Sequence, residues 1–233
     1  MILITGMAGF IGSHLAKALK NQKVIGIDNF NDFYDPQIKY QNWKNLSKNP
    51  SILLEEGDIT NLDFLHQIFS TYPITCVVHL AAIAGVRPSL KNPDLYQEVN
   101  IKGTLNLLQM MQKWKVQNYV FASSSSVYGE RTDYPFNEKM MVDNPISFYA
   151  ATKKAGEEIN HVFAHLYHIK TVNLRFFTVY GPSQRPDLAI HKFAQLMYEN
   201  KPLPVYGDGS FRRDFTYIDD IVQGITKALD YVQ

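Results

Sequence analysis

The chain has 233 residues, 23 Lys and Arg against 22 Asp and Glu, a net charge of +1 and one cysteine. That balance gives no basic field for nucleic acid, no apolar run approaches the length of a membrane span, and the N-terminal run is too short, and lacks the basic flank, for a secretory signal. Cys76 sits in the apolar stretch Ile74-Thr75-Cys76-Val77-Val78, a small core residue in a reducing compartment, so the composition reads as a soluble cytoplasmic enzyme of one large domain or one and a half.

Met1-Ile2-Leu3-Ile4 is a short apolar run with β-branched residues, suited to a buried strand. It ends at Thr5-Gly6-Met7-Ala8-Gly9-Phe10-Ile11-Gly12, a Gly-x-x-Gly-x-x-Gly loop. An amphipathic helix follows, with Ile11, Leu15, Ala18 and Leu19 on one face, and then a second apolar run, Val24-Ile25-Gly26-Ile27, that closes on Asp28. In this register the glycines serve a tight turn, close backbone approach to a pyrophosphate, and close helix–strand packing. The pyrophosphate would rest on the helix N-terminus. Asp28 stands where a carboxylate accepts hydrogen bonds from an adenosine ribose and repels a 2′-phosphate, which points to NAD rather than NADP.

Further strands are predicted at 51–55, 74–80, 118–122 and 171–176, and helices at 61–70, 94–114 and 148–167. Alternating strands and helices imply an α/β fold, a parallel sheet covered on both faces, with ligands bound at the strand C-termini. The polar clusters fall just there: 6–12, Asp28, Asp58-Ile59, Leu80-Ala81-Ala82, 123–126 and 178–182.

Tyr149 and Lys153, four apart on the predicted helix, share a face. An ammonium beside a phenol favours the phenolate, which makes Tyr149 a candidate base near neutral pH. The hydroxyl run Ser123-Ser124-Ser125-Ser126 can hydrogen-bond the same reacting oxygen, although serine also suits simple turn chemistry after a strand.

These residues resemble the extended short-chain dehydrogenase/reductase family, through Gly6, Gly9 and Gly12, Gly57-Asp58-Ile59, His79-Leu80-Ala81-Ala82, the 123–129 segment, the Tyr149/Lys153 pair and the 175–182 segment. Within it the likeness is to UDP-glucuronate 4-epimerases, on Asp28-Asn29-Phe30-Asn31-Asp32-Phe33-Tyr34-Asp35-Pro36, Ala84-Gly85-Val86-Arg87, Ser123-Ser124-Ser125-Ser126-Val127-Tyr128-Gly129, Arg175-Phe176-Phe177-Thr178-Val179-Tyr180-Gly181-Pro182 and Arg213-Asp214-Phe215-Thr216-Tyr217-Ile218-Asp219-Asp220. The resemblance implies a Rossmann-like doubly wound parallel sheet over 1–178, an NAD-binding domain, and a small, truncated C-terminal substrate lobe over 179–233. Relatives continue for roughly another third of their length, beyond the helix begun at Asp219.

It further implies a 4-epimerase working by transient oxidation at sugar C4, with Ser124, Tyr149 and Lys153 as the catalytic set. NAD would be held by Gly6, Gly9, Phe10, Ile11, Gly12, Asp28, Asn29, Asp58, Ile59, Leu80, Ala81, Ala82, Asn100, Tyr149, Lys153 and Phe176. A UDP-sugar would be bound by Ser125, Ser126, Thr178, Arg185 and Arg213. A 4-keto sugar bearing a C5 carboxylate is a β-keto acid, prone to lose carbon dioxide. The serines offer uncharged donors to hold that carboxylate, and Thr178 stands where many relatives carry asparagine. Dehydratases of the family carry an acidic pair where Ser125 and Ser126 stand, so dehydration is not expected. A guanidinium fork suits a diphosphate or carboxylate. Arg185 and Arg213 equally suit surface ion pairs with Asp187 and Asp214, Arg212 competes with Arg213, and Arg87 is a weaker candidate. UDP-glucose 4-epimerase, or an NAD-binding remnant disabled by the missing segment, are the alternatives.

His161, His165 and His168 fall at helical spacing, but no cysteine or well-placed carboxylate completes a metal shell, so no metal is expected. By the resemblance, the two long helices form a homodimer interface. Their apolar residues Leu105, Leu108, Met111, Phe163, Leu166 and Tyr167 would serve core and dimer packing.

Overall fold

Strands with apolar side chains on both faces need cover on both sides, and the fold supplies it. The computed structural model describes residues 1–205, 207–209 and 212–233. Strands β1 (Ile2–Thr5), β2 (Val24–Asp28), β3 (Ile52–Glu56), β4 (Cys76–His79), β5 (Asn118–Ser124) and β6 (Lys170–Phe176) form one sheet in the order β3-β2-β1-β4-β5-β6. Every pair is parallel. The order reverses between β1 and β4, the switch point at which doubly wound sheets open a crevice.

Between the strands run α1 (Phe10–Ala18), α2 (Pro36–Leu46) and α3 (Leu62–Thr71). After β4 come the short α4 (Val86–Ser89) and α5 (Pro93–Tyr96), then α6 (Gly103–Lys113), and past β5 the long α7 (Phe148–Tyr167). Two short parallel strands, β7 (Thr178–Tyr180) and β8 (Phe215–Tyr217), flank α8 (Ala189–Tyr198), and α9 (Ile218–Val232) follows. Alternation along β1 divides the core. Ile2 and Ile4 face a cluster that includes Leu15 of α1, Leu46 of α2 and Ile225 of α9, whereas Leu3 faces Leu65, Leu107 and Phe163 of α3, α6 and α7.

The expected helix at 148–167 matches α7, capped by the Ser147 side chain on the Ala150 N–H and ended by His168 in the left-handed region. His168 therefore lies outside the helix that carries His161 and His165. The expected helix at 94–114 runs without a break from Pro93 to Lys113, as α5, a π-helical stretch at Gln97–Lys102, and α6. β5 runs two residues beyond expectation and carries Ser123 and Ser124 on the strand itself. α2 was not foreseen, because few of its side chains are buried; its start is marked by Asp35, whose carboxylate caps the Gln37 N–H ahead of Pro36.

The core does not stop at residue 178: Ile218, Ile221, Val222, Ile225, Leu229 and Val232 of α9 are buried in the cluster with β1 and α1. Ile225→Ala should lower stability by about 2–5 kcal/mol in urea unfolding; a loss under about 1 kcal/mol would mean α9 does not belong to this core.

Candidate active site

The glycine loop is built by contacts that leave no room for a Cβ. Gly6 adopts φ +70°, and a Cβ there would lie 2.8 Å from the Ala81 amide nitrogen. At Gly12 it would lie 2.4 Å from the Gly6 carbonyl oxygen. α1 starts at Gly9 with no side-chain cap and no acidic residue in its first turn, so its free N–H groups face the cleft ready for an anion. Asp28, at the end of β2, accepts the Ala8 and Phe30 amides, each at 3.0 Å. Burial raises its pKa, outweighing those bonds and the charge of Lys39. Asp58 is also drawn upward by burial, but the bonds from the Thr60 amide, Asn29 Nδ2 and the Thr60 hydroxyl leave it below the ordinary range.

Across the switch point, α7 lays Tyr149, Lys153 and Glu157 against the end of β5. Lys153 is 4% exposed, and its Nζ donates to the Ala122 carbonyl at 2.7 Å. Burial lowers its pKa to about 7. The Ser123 hydroxyl donates to Glu157 Oε1 at 2.5 Å, and Arg175 of β6 closes on the same carboxylate with Nε at 3.0 Å and Nη2 at 2.8 Å. Its guanidinium also lies over the Tyr128 ring at 5.1 Å. This charge pair, with Glu157 buried and Arg175 partly exposed, holds Ser123 and Tyr128 at the two ends of the turn that carries the serines. Ser124 Oγ accepts the Ser126 amide at 3.2 Å and donates to Ser126 Oγ at 3.1 Å.

Tyr149 keeps part of its surface open to the cleft. Burial raises its phenol pKa, against the pull of a hydrogen bond with Ser124 and the charge of Arg185. The net direction for this phenol is upward, whereas an acidic phenol was expected beside Lys153. Desolvation of the phenolate outweighs the Ser124 bond and the Arg185 charge.

One cleft of about 440 Å³ gathers nearly all the expected residues. Gly6, Gly9, Phe10, Ile11, Gly12, Asp28, Asn29, Asp58, Ile59, Leu80, Ala81, Ala82, Tyr149, Lys153 and Phe176 line it together with Ser124, Ser125, Ser126, Thr178 and Arg185. Two expected residues lie elsewhere. Asn100 is behind the wall, its amide committed to Ile83 and Thr152, and its neighbour Val99 lines the cleft instead. Arg213 is exposed, with Nη1 donating to the Arg212 carbonyl at 2.9 Å.

Sequence reasoning missed Phe33, Tyr34 and Lys39, which reach the cleft because the Lys39 ammonium holds the Asn31 carbonyl at 2.7 Å and Oδ1 at 2.8 Å and folds the segment back. Arg185 lies over the Phe33 ring at 5.3 Å and is paired with Asp187 at 2.6 Å. Burial works against its charge, and the Asp187 carboxylate more than offsets this. Among the described residues no cluster of three or more His, Cys, Asp or Glu could hold a metal ion.

A family model described as the NAD dependent epimerase/dehydratase family matches residues 2–233. The chain belongs to this family. It is 47% identical over 229 residues to a UDP-glucuronate 4-epimerase of Thermodesulfobacterium geofontis, spanning 97% of this chain and 71% of that one. It is 48% identical over 235 residues to UDP-glucuronate 4-epimerase 4 of Arabidopsis thaliana, spanning 98% of this chain and 54% of the relative. Among solved structures, UDP-glucuronic acid 4-epimerase from Bacillus cereus in complex with UDP-glucuronic acid and NAD superposes with a TM-score of 0.92 at 43% identity, over 98% of this chain and 73% of that one. The chain is thus shorter than each of these relatives.

Two outcomes test the geometry. Gly12→Ala should weaken NAD binding at least about tenfold by isothermal titration, because the added methyl must push the loop apart where the backbone meets a pyrophosphate. Lys153 sets a pH dependence. Below pH 7 the folded chain bears a buried ammonium. Between 7 and 10.5 the unfolded chain holds a proton that the folded chain has released, so stability rises with pH. The stability advantage of Lys153→Met over the wild type should therefore shrink from pH 7 to 9 by roughly 1 kcal/mol per unit. Parallel urea curves of the two proteins at every pH would show that the amine is not held near neutrality.

Proposed function

We propose that this chain binds NAD and inverts C4 of a UDP-linked uronic acid, interconverting UDP-glucuronate and UDP-galacturonate. The observation that carries the reading is the meeting, in one cleft, of a dinucleotide loop, the Tyr149/Lys153 pair and an uncharged hydroxyl cluster at 124–126 with Thr178. The cradle that a Cβ would fill at Gly6 and Gly12, with Asp28 beyond it, fits NAD. NAD bound there supplies a nicotinamide that accepts and returns a hydride at the sugar carbon.

The residues do the rest. Phe10, Ile11 and the loop glycines would hold the pyrophosphate, and Asp28 and Asn29 the adenosine ribose. Asp58, Ile59, Leu80, Ala81, Ala82 and Phe176, which line the same cleft, would hold the rest of the dinucleotide. Tyr149 takes the O4 proton and gives it back, and Ser124 hydrogen-bonds the same oxygen. Lys153, when protonated, would add positive charge beside the phenol, and it would orient a ribose hydroxyl. Arg185 pulls on the phenol pKa against the larger effect of burial and offers its guanidinium to the diphosphate, with Arg213 a more distant candidate.

Ser125, Ser126 and Thr178 seat the C5 carboxylate through neutral donors, holding it away from the geometry that would expel carbon dioxide. We assign nucleotide binding to 1–178 and sugar binding to 179–233, with α9 packed into the nucleotide-binding core. Val162, Leu166 and Tyr167 leave an exposed apolar stripe on α7, which supports a homodimer through the long helices. A buried free thiol at Cys76 supports a reducing, cytoplasmic setting. Among the described residues no helix is long and apolar enough to cross a membrane.

Proton NMR of the chain with NAD and a mixture of UDP-glucuronate and UDP-glucose tests this reading. A galacturonate anomeric signal without galactose is expected, and galactose alone would move the assignment to the neutral sugar. The double variant Ser125→Ala/Ser126→Ala should lose uronate binding or release a decarboxylated pentose product. Unchanged kinetics and products in that variant would remove the carboxylate role.

A further inference from the structure

Behind the cleft runs a chain of buried polar side chains that the chemistry above does not use: Thr5, His79, Thr104, Asn100 and Thr152, none more than 5% exposed. Its protons can be placed one by one. Thr5 Oγ1 accepts the Ala81 amide at 3.1 Å and shares the Leu80 amide, at 3.2 Å, with the Thr5 main-chain carbonyl, also at 3.2 Å, so amide donors already crowd its acceptor side. Its own proton therefore goes to His79 Nδ1, 2.7 Å away. The ring proton must then sit on Nε2, which donates to Thr104 Oγ1 at 3.0 Å. Thr104 in turn donates to the Asn100 carbonyl at 2.6 Å.

The Asn100 amide grips the Ile83 backbone from both sides, Oδ1 accepting its N–H at 2.8 Å and Nδ2 donating to its carbonyl at 3.0 Å. The second Nδ2 proton goes to Thr152 Oγ1 at 3.0 Å, and Thr152 donates to the Tyr149 carbonyl at 2.9 Å. Burial, with the charge of Lys153 added, pushes the His79 pKa down to about 3, so the ring stays neutral. Asn100 sits in the π-helical stretch, the kind of local widening that turns a side chain inward at functional sites.

The two ends of this chain are the two halves of the cleft. Thr5 precedes Gly6, whose backbone abuts Ala81, and Thr152 closes on the first turn of α7. We propose that His79, as the Nε2–H tautomer, is a positioning residue that works with Thr104, Asn100 and Thr152 to hold Tyr149 and Lys153 in register with the dinucleotide loop. The kinetic part rests on the epimerase reading, whereas the tautomer does not.

The whole chain with NAD is the material for the test. Long-range proton–nitrogen correlation spectra should show His79 protonated at Nε2 and bare at Nδ1; a proton on Nδ1 overturns the proposal. Thr152→Val keeps the shape and removes both bonds, so kcat for UDP-glucuronate should fall about tenfold or more, with KM held within about twofold. Thr152→Ser, which keeps the hydroxyl, should restore kcat to within about twofold. A Thr152→Val enzyme with unaltered kcat, or a Thr152→Ser enzyme equally impaired, overturns the positioning role. If the wild type turns over no nucleotide sugar, the epimerase reading fails separately. Positioning is then judged on NAD affinity, expected to weaken about fivefold in Thr152→Val and overturned if unchanged.

Discussion

The docking of α7 on the end of β5 is the constraint from which the site follows. A lysine removed from water needs a partner, and Lys153 finds the Ala122 carbonyl at 2.7 Å. One turn on, Glu157 finds the Ser123 hydroxyl and the Arg175 guanidinium. Charged groups in such surroundings are costly unless their bonds are made, and that cost makes the arrangement specific. Tyr149 is carried to the cleft by the same helical face, and the serine turn by the same strand. Chemistry and architecture therefore share one set of contacts.

The electrostatics of the cleft run against a simple picture of a standing phenolate. Burial lifts Tyr149 and lowers Lys153, so both lean towards their neutral forms. On the phenol, the opposing biases from Ser124 and Arg185 are smaller than that of burial. Desolvation is the largest influence on each group, and a ligand that changes the local charge can move both pKa values together.

Much of this was legible in the sequence, for reasons that can be named. The glycine loop, the apolar strands and Asp28 obey rules of local spacing, and β1, α1 and β2 formed where those rules place them. The face shared by Tyr149 and Lys153 follows from helical geometry alone. What was not legible depended on contacts distant along the chain. The helix expected at 94–114 is continuous but widened at Gln97–Lys102, where Asn100 turns in to meet Ile83 and Thr152. Val99, rather than Asn100, reached the cleft as a result. Phe33 and Tyr34 line the cleft only because Lys39 folds their loop back, and no periodicity announces that. β7 and β8 are three residues each, too short to carry a pattern.

The stacking of Tyr149, Lys153 and Glu157 on one face of α7 also bears on how such a chain can change over generations. Each residue of an α-helix turns its successor by about 100°. A single deletion between Tyr149 and Glu157 would swing one part of the face away from β5 while leaving the other in place, whereas an exchange at an exposed position such as Glu158 or His161 disturbs neither. The segment therefore admits drift in spelling but not in length, in contrast to the irregular stretch before Ser147, where added or lost residues leave the helix register intact.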